Sequence, residues 1–363
     1  MPDRNSLGGP AACEPPFVEE LRRMGLEVAE ETYVYGDRLE RTNLRSRVAR
    51  VLRTARHLRR RLDAGRFDLL HLNTSFDTRA LFRDVPTVMS LRRASGSKIF
   101  LKFHGSDARL LETKNPLLRA LGRSLLRRAD AVGVLSSEER ENFVRAGAEA
   151  RKVFVVKNVV EDAARYVRSP SFAERLKLPP DVPLLLFIAR FIPAKGLLEV
   201  VRACAILRER GYDFRLLCLG DGPARAAAEA EVARLDLQAH ARFLGYIPEA
   251  ETRDFYANST ALVFPTYHYE GFPMVVFNSL AAGLPIITTR IRAAADYLRE
   301  PDNCLWVEAR QPAMLAEKIA RLLDQPETRA AMSRNNRALA QSFNAAHVAR
   351  EYVQVYKIVT GDK

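Results

Sequence analysis

The sequence has no pair of cysteines at redox or metal-binding spacing. Its four, Cys13, Cys204, Cys218 and Cys304, stand far apart and three lie in apolar segments, which excludes a zinc ribbon or C-x-x-C site and predicts reduced core thiols. No apolar run approaches the roughly 18 residues of a membrane span, and the opening MPDRNSLGGP has no apolar signal-peptide core. A cytoplasmic protein is expected. There is no G-x-x-x-x-G-K-[ST] phosphate loop, no complete G-x-G-x-x-G and no G-x-S-x-G hydrolase elbow. The six histidines are scattered without a pair at metal-ligand spacing, so no metal site is expected. A net charge of +13 admits phosphorylated substrates, anionic lipid and nucleic acid. No RRM, zinc-finger or helix-turn-helix signature accompanies it, so nucleic acid is not expected as a partner.

What is present is an ordinary globular composition, 47% hydrophobic and 28% charged over 363 residues. At about 150 residues per domain this is two domains or one large one. Ten short apolar runs recur: 67–73, 98–105, 131–136 and 153–158 in the first half, then 184–190, 214–220, 242–247, 261–265, 285–289 and 304–307. Near-continuous apolar runs of this length suit strands buried on both faces. Helical patterns lie between them, as at Lys195–Arg210, Ala224–Leu235 and Pro273–Ala282. The alternation predicts parallel sheets and an α/β fold. The polar, proline-bearing stretch Val159–Pro183 is the expected domain boundary.

In such folds chemistry is sought in the loops beyond the carboxyl ends of the strands. The run LLLFIAR ends in Arg190, and Lys195-Gly196 then opens a helix. Two cations beside a helix N-terminus suit a diphosphate, or are plain exposed loop charges. Gly220-Asp-Gly-Pro223 follows the next run and allows close backbone approach to a ligand. Glu270 lies just ahead of the helix that Pro273 opens, with Asn278 about five residues inside it. The pair either contacts two polar groups of a ligand or consists of a capping Glu and an exposed Asn.

The ordered motifs IARFIPAKG, GDGP, FLGYI, PTYHYEGFP and AAGLPII, over about residues 184–290, resemble the retaining GT-B glycosyltransferases of family four. The resemblance implies two Rossmann-like domains facing across a cleft: an acceptor-side domain 1–165, a nucleotide-sugar domain 166–345, and a last helix within 346–363 crossing back to the first domain. It implies that Arg190 and Lys195 hold the donor diphosphate, with Gly220 nearby, and that Glu270 faces the sugar hydroxyls. The backbone of Gly271, Phe272 and Pro273 would line the sugar, and Tyr246 would lie near the base. His104, in FHGSD, would sit at the reacting sugar as the second catalytic residue, and Gly8 and Gly9 near the donor phosphates. The donor is a UDP- or GDP-sugar used as co-substrate, so no cofactor is implied. The D-x-D of the other major glycosyltransferase fold is absent. Acceptors in this family are often lipid-linked or glycan, which points to cell-surface polysaccharide or glycolipid synthesis. The alternatives are a nucleotide-sugar 2-epimerase or a non-catalytic sugar-nucleotide-binding relative.

Two features depart from the family. Asn278 stands where relatives carry a second Glu that accepts from ribose hydroxyls, so Asn278→Glu is expected to tighten donor binding unless Asn278 is matched to an altered contact. Only MPDRNSL precedes Gly8, without strand pattern, so the N-terminal sheet is expected to lack its first strand, as a misplaced start codon would produce. The segment Leu44–Leu62 places apolar residues at helical spacing among eight arginines. It reads as a solvated basic face, or as a docking face that makes the protein peripheral on the inner, anionic side of a membrane.

Overall fold

A computed structural model describes residues 9–33, 44–65, 67–91 and 96–361. Ten strands occur there: β1 Leu69–Phe76, β2 Lys98–Ser106, β3 Ala131–Val134, β4 Val153–Val155, β5 Leu184–Ile188, β6 Arg215–Leu219, β7 Ala241–Gly245, β8 Ala261–Phe264, β9 Ile286–Thr288 and β10 Cys304–Trp306. Each falls on one of the ten apolar runs. All the strand pairs are parallel, because helices connect the strands and cover both faces. The chain divides into two compact units, Met1–Val159 with Ala345–Lys363, and Val160–Asn344.

The first unit carries a four-stranded sheet in the order β1-β2-β3-β4. Phe76, Leu101, Phe103, Val132 and Phe143 are among the side chains of its core. The C-terminal helix Ala345–Thr360 belongs to this unit and packs Tyr352 against Phe17 of the helix Gly9–Arg23, the rings tilted with centroids 4.6 Å apart. β1 is an edge strand, and a cavity of about 780 Å³ runs beside it. Its other wall includes Leu26–Glu31 and Tyr33, in a segment that pairs with no strand. Among the described residues no strand precedes β1; Met1–Leu7, where a first strand was sought, lie outside them. The helix Leu44–Ala64 buries Ala55, Leu58 and Leu62, but only that half of its apolar stripe: Val48 and Leu52 are 51% and 42% exposed.

The second unit carries six strands in the order β10-β9-β8-β5-β6-β7. Leu184–Phe187 of β5 are buried throughout. Strand order reverses at β5, so the crevice outside the carboxyl ends of β5 and β8 is the topological switch point where doubly wound sheets take ligands. No helix among the described residues is long and apolar enough to cross a membrane.

Candidate active site

The loops that leave β5 and β8 carry the residues singled out above. Arg190 follows β5 and is exposed. The chain then makes one 3-10 turn, Pro193–Lys195, and enters the helix Leu197–Glu209 through Gly196. Gly196 has φ +84°, and a Cβ there would stand 2.6 Å from the Pro265 carbonyl oxygen, so this close crossing of the two loops requires glycine. The loops are also bonded: Tyr267 N–H donates to the Ala194 carbonyl at 2.8 Å and the Thr266 hydroxyl to the same oxygen at 3.2 Å. Gly220, φ +129°, closes the third side; a Cβ would collide with the Ala189 carbonyl, and Phe191 N–H donates to the Asp221 carbonyl at 2.8 Å.

This crossing brings Lys195 and Glu270 into an ion pair. Lys195 is 8% exposed, so its ammonium is largely stripped of water. Burial, and then the Arg190 guanidinium, pull its pKa down to about 7, against the attraction of the carboxylate it touches. His268 senses the same field: burial, Lys195, Arg190 and Arg292 press its pKa down to about 4, keeping it neutral. Three cations thus converge on the switch point, partly balanced by one carboxylate, which is an arrangement suited to an anion. The Gly271 carbonyl accepts from Ala293 N–H at 3.3 Å. Phe272 is buried with its ring stacked on Phe277, centroids 3.6 Å apart, which fixes the Gly271–Pro273 backbone ahead of the helix Met274–Ala282. Tyr246 is 57% exposed at the end of β7.

Asn278 is buried in that helix, not exposed. Its Nδ2 donates to Glu249 Oε1 at 3.3 Å, and its Oδ1 has no partner among the described residues. Glu249 opens the helix Glu249–Asn258 just after Tyr246. Sequence reasoning passed it over, because a Glu in a first helical turn looks like ordinary dipole complementation.

In the first unit Gly8 lies outside the described residues and Gly9 opens the first helix. His104, at the end of β2, turns its imidazole inward: the side chain is 3% exposed, and Nε2 lies 2.8 Å from Asn73 Oδ1 and 3.4 Å from Glu14 Oε1. The exposure of the residue comes from its main chain. Glu14 also meets the Lys102 ammonium at 2.7 Å and Asn73 Nδ2 at 3.0 Å. Burial alone would push the Glu14 pKa up, but Lys102 and His104 outweigh it and hold the carboxylate charged. Cys13, Glu14 and His104 lie close enough to suggest a cation site. Lys102 already supplies the positive charge there, and burial pushes the Cys13 thiol up and keeps it protonated, so the donor set suits a structural network better than a metal. His71 packs against Tyr352 and lies 2.5 Å from the Tyr356 hydroxyl, with burial pulling its pKa to about 3; it is a core residue.

Two family models match along the chain: Glycosyltransferase Family 4 over residues 16–164 and Glycosyl transferases group 1 over residues 169–339. The 2-deoxystreptamine glucosyltransferase of Streptomyces kanamyceticus is 33% identical over 257 residues, 68% of this chain and 65% of that protein, so the match spans slightly less than two thirds of the relative's length. Sucrose-phosphate synthase of Thermosynechococcus elongatus superposes with a TM-score of 0.77 at 19% identity, covering 98% of this chain and 94% of that one. Anabaena HepE, in complex with UDP and glucose, superposes with a TM-score of 0.75 at 16% identity, covering 97% of each chain. The chain belongs to the family-four glycosyltransferases and has the GT-B fold.

Proposed function

We propose that the protein is a retaining, metal-independent glycosyltransferase that moves a hexose from a nucleoside diphosphate sugar to a hydroxyl acceptor. The convergence of Arg190, Lys195 and Glu270 at the β5/β8 switch point carries this reading. The bond between the sugar C1 and the phosphate oxygen breaks, and a bond from C1 to the acceptor oxygen forms on the same face. The acceptor proton passes to the departing phosphate oxygen. Negative charge grows on the diphosphate as it leaves, where Arg190 and Lys195 stabilise it. Glu270 serves the sugar hydroxyls, and the Gly271–Pro273 backbone shapes their pocket. His104 orients the sugar or stabilises its reacting face. UDP-bound HepE favours UDP as the first nucleotide to try, with GDP second. Calorimetric titration with UDP and GDP tests the reading: one of them binds the parent and binds Lys195→Ala at least about tenfold more weakly, the loss of a charge-assisted contact. A parent that binds neither contradicts it.

The acceptor is proposed to be lipid-linked or a glycan, with the protein peripheral on the inner membrane face and acting in polysaccharide or glycolipid synthesis. Val48 and Leu52, exposed apolar residues on the arginine-rich helix Leu44–Ala64, support this, since an apolar stripe beside a basic face suits an anionic lipid surface. Co-sedimentation with anionic vesicles at low salt is expected to exceed that with neutral vesicles and to fall in the Val48→Ser/Leu52→Ser variant. Equal binding to both vesicle types removes the membrane role.

A further inference from the structure

Three arginines stand on aromatic rings just beyond the carboxyl ends of β8, β9 and β10. Arg290, which follows β9, lies over Trp306 at the end of β10, 5.3 Å from the ring centroid. Arg292 lies over Tyr269 at 5.3 Å and Arg310 over Tyr267 at 4.6 Å, and both tyrosines follow β8. A guanidinium stacked on a ring keeps its in-plane N–H fork available for a carboxylate. Arg290 and Arg310 make no ion pair among the described residues. Two of the three also hold an unusual backbone. Arg292 has φ +39° and Arg310 φ +60°, in the left-handed region that residues with a Cβ seldom enter. Such positions gather at ligand sites, where the surrounding structure holds them. Arg292 is moreover only 7% exposed, so its charge is largely withdrawn from water.

Sheet order places this cluster relative to the donor. Read from the other edge, the strands run β7-β6-β5-β8-β9-β10. In the reading above, the base lies by Tyr246 after β7, the diphosphate by Arg190 and Lys195 after β5, and the sugar by Glu270 and Gly271 after β8. The next two strands, each about 4.8 Å further on, lead into Arg290, Arg292 and Arg310. The N–H of Ala293, the residue after Arg292, donates to the Gly271 carbonyl at 3.3 Å, which ties this loop to the backbone proposed to line the sugar. Arg190 and Lys195 already match the diphosphate, and Lys195 engages Glu270. We infer that Arg292, with Arg290 and Arg310 beside it, forms a second anion site for a carboxylate on the transferred sugar, so that the hexose is transferred in its C6-oxidised form, a hexuronic acid. The inference rests on the nucleotide-sugar reading above and names its sugar. A carboxylate offers two oxygens to a guanidinium fork and keeps lone pairs for further N–H donors. A neutral hexose would leave Arg290 and Arg310 without a counter-charge.

Titration with UDP-glucose and UDP-glucuronate (or GDP-mannose and GDP-mannuronate, if GDP is the nucleotide bound) tests this. The parent is expected to bind the uronate at least about tenfold more tightly than the neutral sugar, the gain from one charge-assisted contact. Arg292→Gln is expected to bring that ratio close to one. Arg310 is exposed, and Asn tolerates the left-handed backbone, so Arg310→Asn tests the idea even if Arg292→Gln fails to fold. It lowers the ratio part of the way. Lys195→Ala weakens both donors and keeps the ratio, because the diphosphate is common to them. Equal binding of the two donors by the parent, or a preference for the neutral sugar, overturns the second anion site and leaves the nucleotide-sugar reading standing. Retention of the parent's ratio in both arginine variants does the same. A parent that binds neither nucleotide removes the nucleotide-sugar reading and this inference with it.

Discussion

Lys195→Ala is expected to lower turnover of the nucleotide-sugar about 100- to 1000-fold, the usual consequence of deleting one preorganised charge from a site where negative charge develops. The Lys195 ammonium is 8% exposed and already in place against Glu270 before any ligand arrives, so it needs little reorganisation when the diphosphate departs. Glu270→Ala is expected to cost at least about tenfold through lost orientation of the sugar, and it also removes the carboxylate that helps keep Lys195 charged. The pH profile separates these roles. With its pKa near 7, Lys195 sheds its proton as pH rises through neutrality, so affinity for the anionic donor declines above about pH 7. Lys195→Arg, whose guanidinium stays charged throughout, is expected to lose that decline. Steady-state rates on each variant from pH 6 to 9, with thermal melting as the folding control, check both; parent-like rates in Lys195→Ala would remove the anion site from the mechanism.

Lys102→Met is expected to destabilise the protein by about 3–5 kcal/mol, the cost of leaving a buried charge without its partner. Glu14 and Lys102 are 1% and 2% exposed and meet at 2.7 Å, with Asn73 and His104 completing the carboxylate's contacts. The pH dependence gives a second, sharper signature. In the parent the Glu14 pKa is depressed, so its stabilising contribution is present above the unfolded carboxylate range and is lost as pH falls through the lower folded value. Without Lys102, desolvation dominates and raises the folded pKa. Glu14 then folds protonated, and stability falls as pH rises through and above the unfolded value. Urea unfolding at pH 5 and pH 8 is expected to show the variant more stable at pH 5. Glu14→Gln in the Lys102→Met background should recover part of the loss and flatten the profile. Equal stability of parent and Lys102→Met would mean that the pair contributes nothing to the fold.

The strands were legible because parallel strands covered on both faces must be apolar nearly throughout, and runs such as Leu184–Ile188 admit no other use at that length. Arg190, Lys195 and Glu270 were legible because each lies within a few residues of a strand end, where the fold class directs attention. The Glu14–Asn73–Lys102–His104 network was not, since it joins the first helix to β1 and β2 with no local spacing to betray it. Lys102 even resembles an interruption of the β2 apolar run. The contacts that hold the His104 imidazole were hidden for the same reason: Asn73 and Glu14 are remote in sequence. Asn278 was visible as a departure from the family pattern, but its neighbour Glu249, 29 residues earlier, became visible only once the two helices were placed side by side. On the arginine-rich helix, periodicity correctly marked the stripe but could not show that Val48 and Leu52 lie beyond what the sheet covers.

The central claim, that this chain cleaves a nucleoside diphosphate sugar at C1, is tested most directly by incubating the purified protein with UDP- and GDP-sugars labelled in the hexose and separating the products. Slow release of free labelled sugar together with UDP or GDP, abolished in Lys195→Ala and reduced in Glu270→Ala, is the predicted result, since water replaces the missing acceptor. Recovery of every donor intact, or conversion of the sugar to its epimer while still attached to the nucleotide, would contradict it.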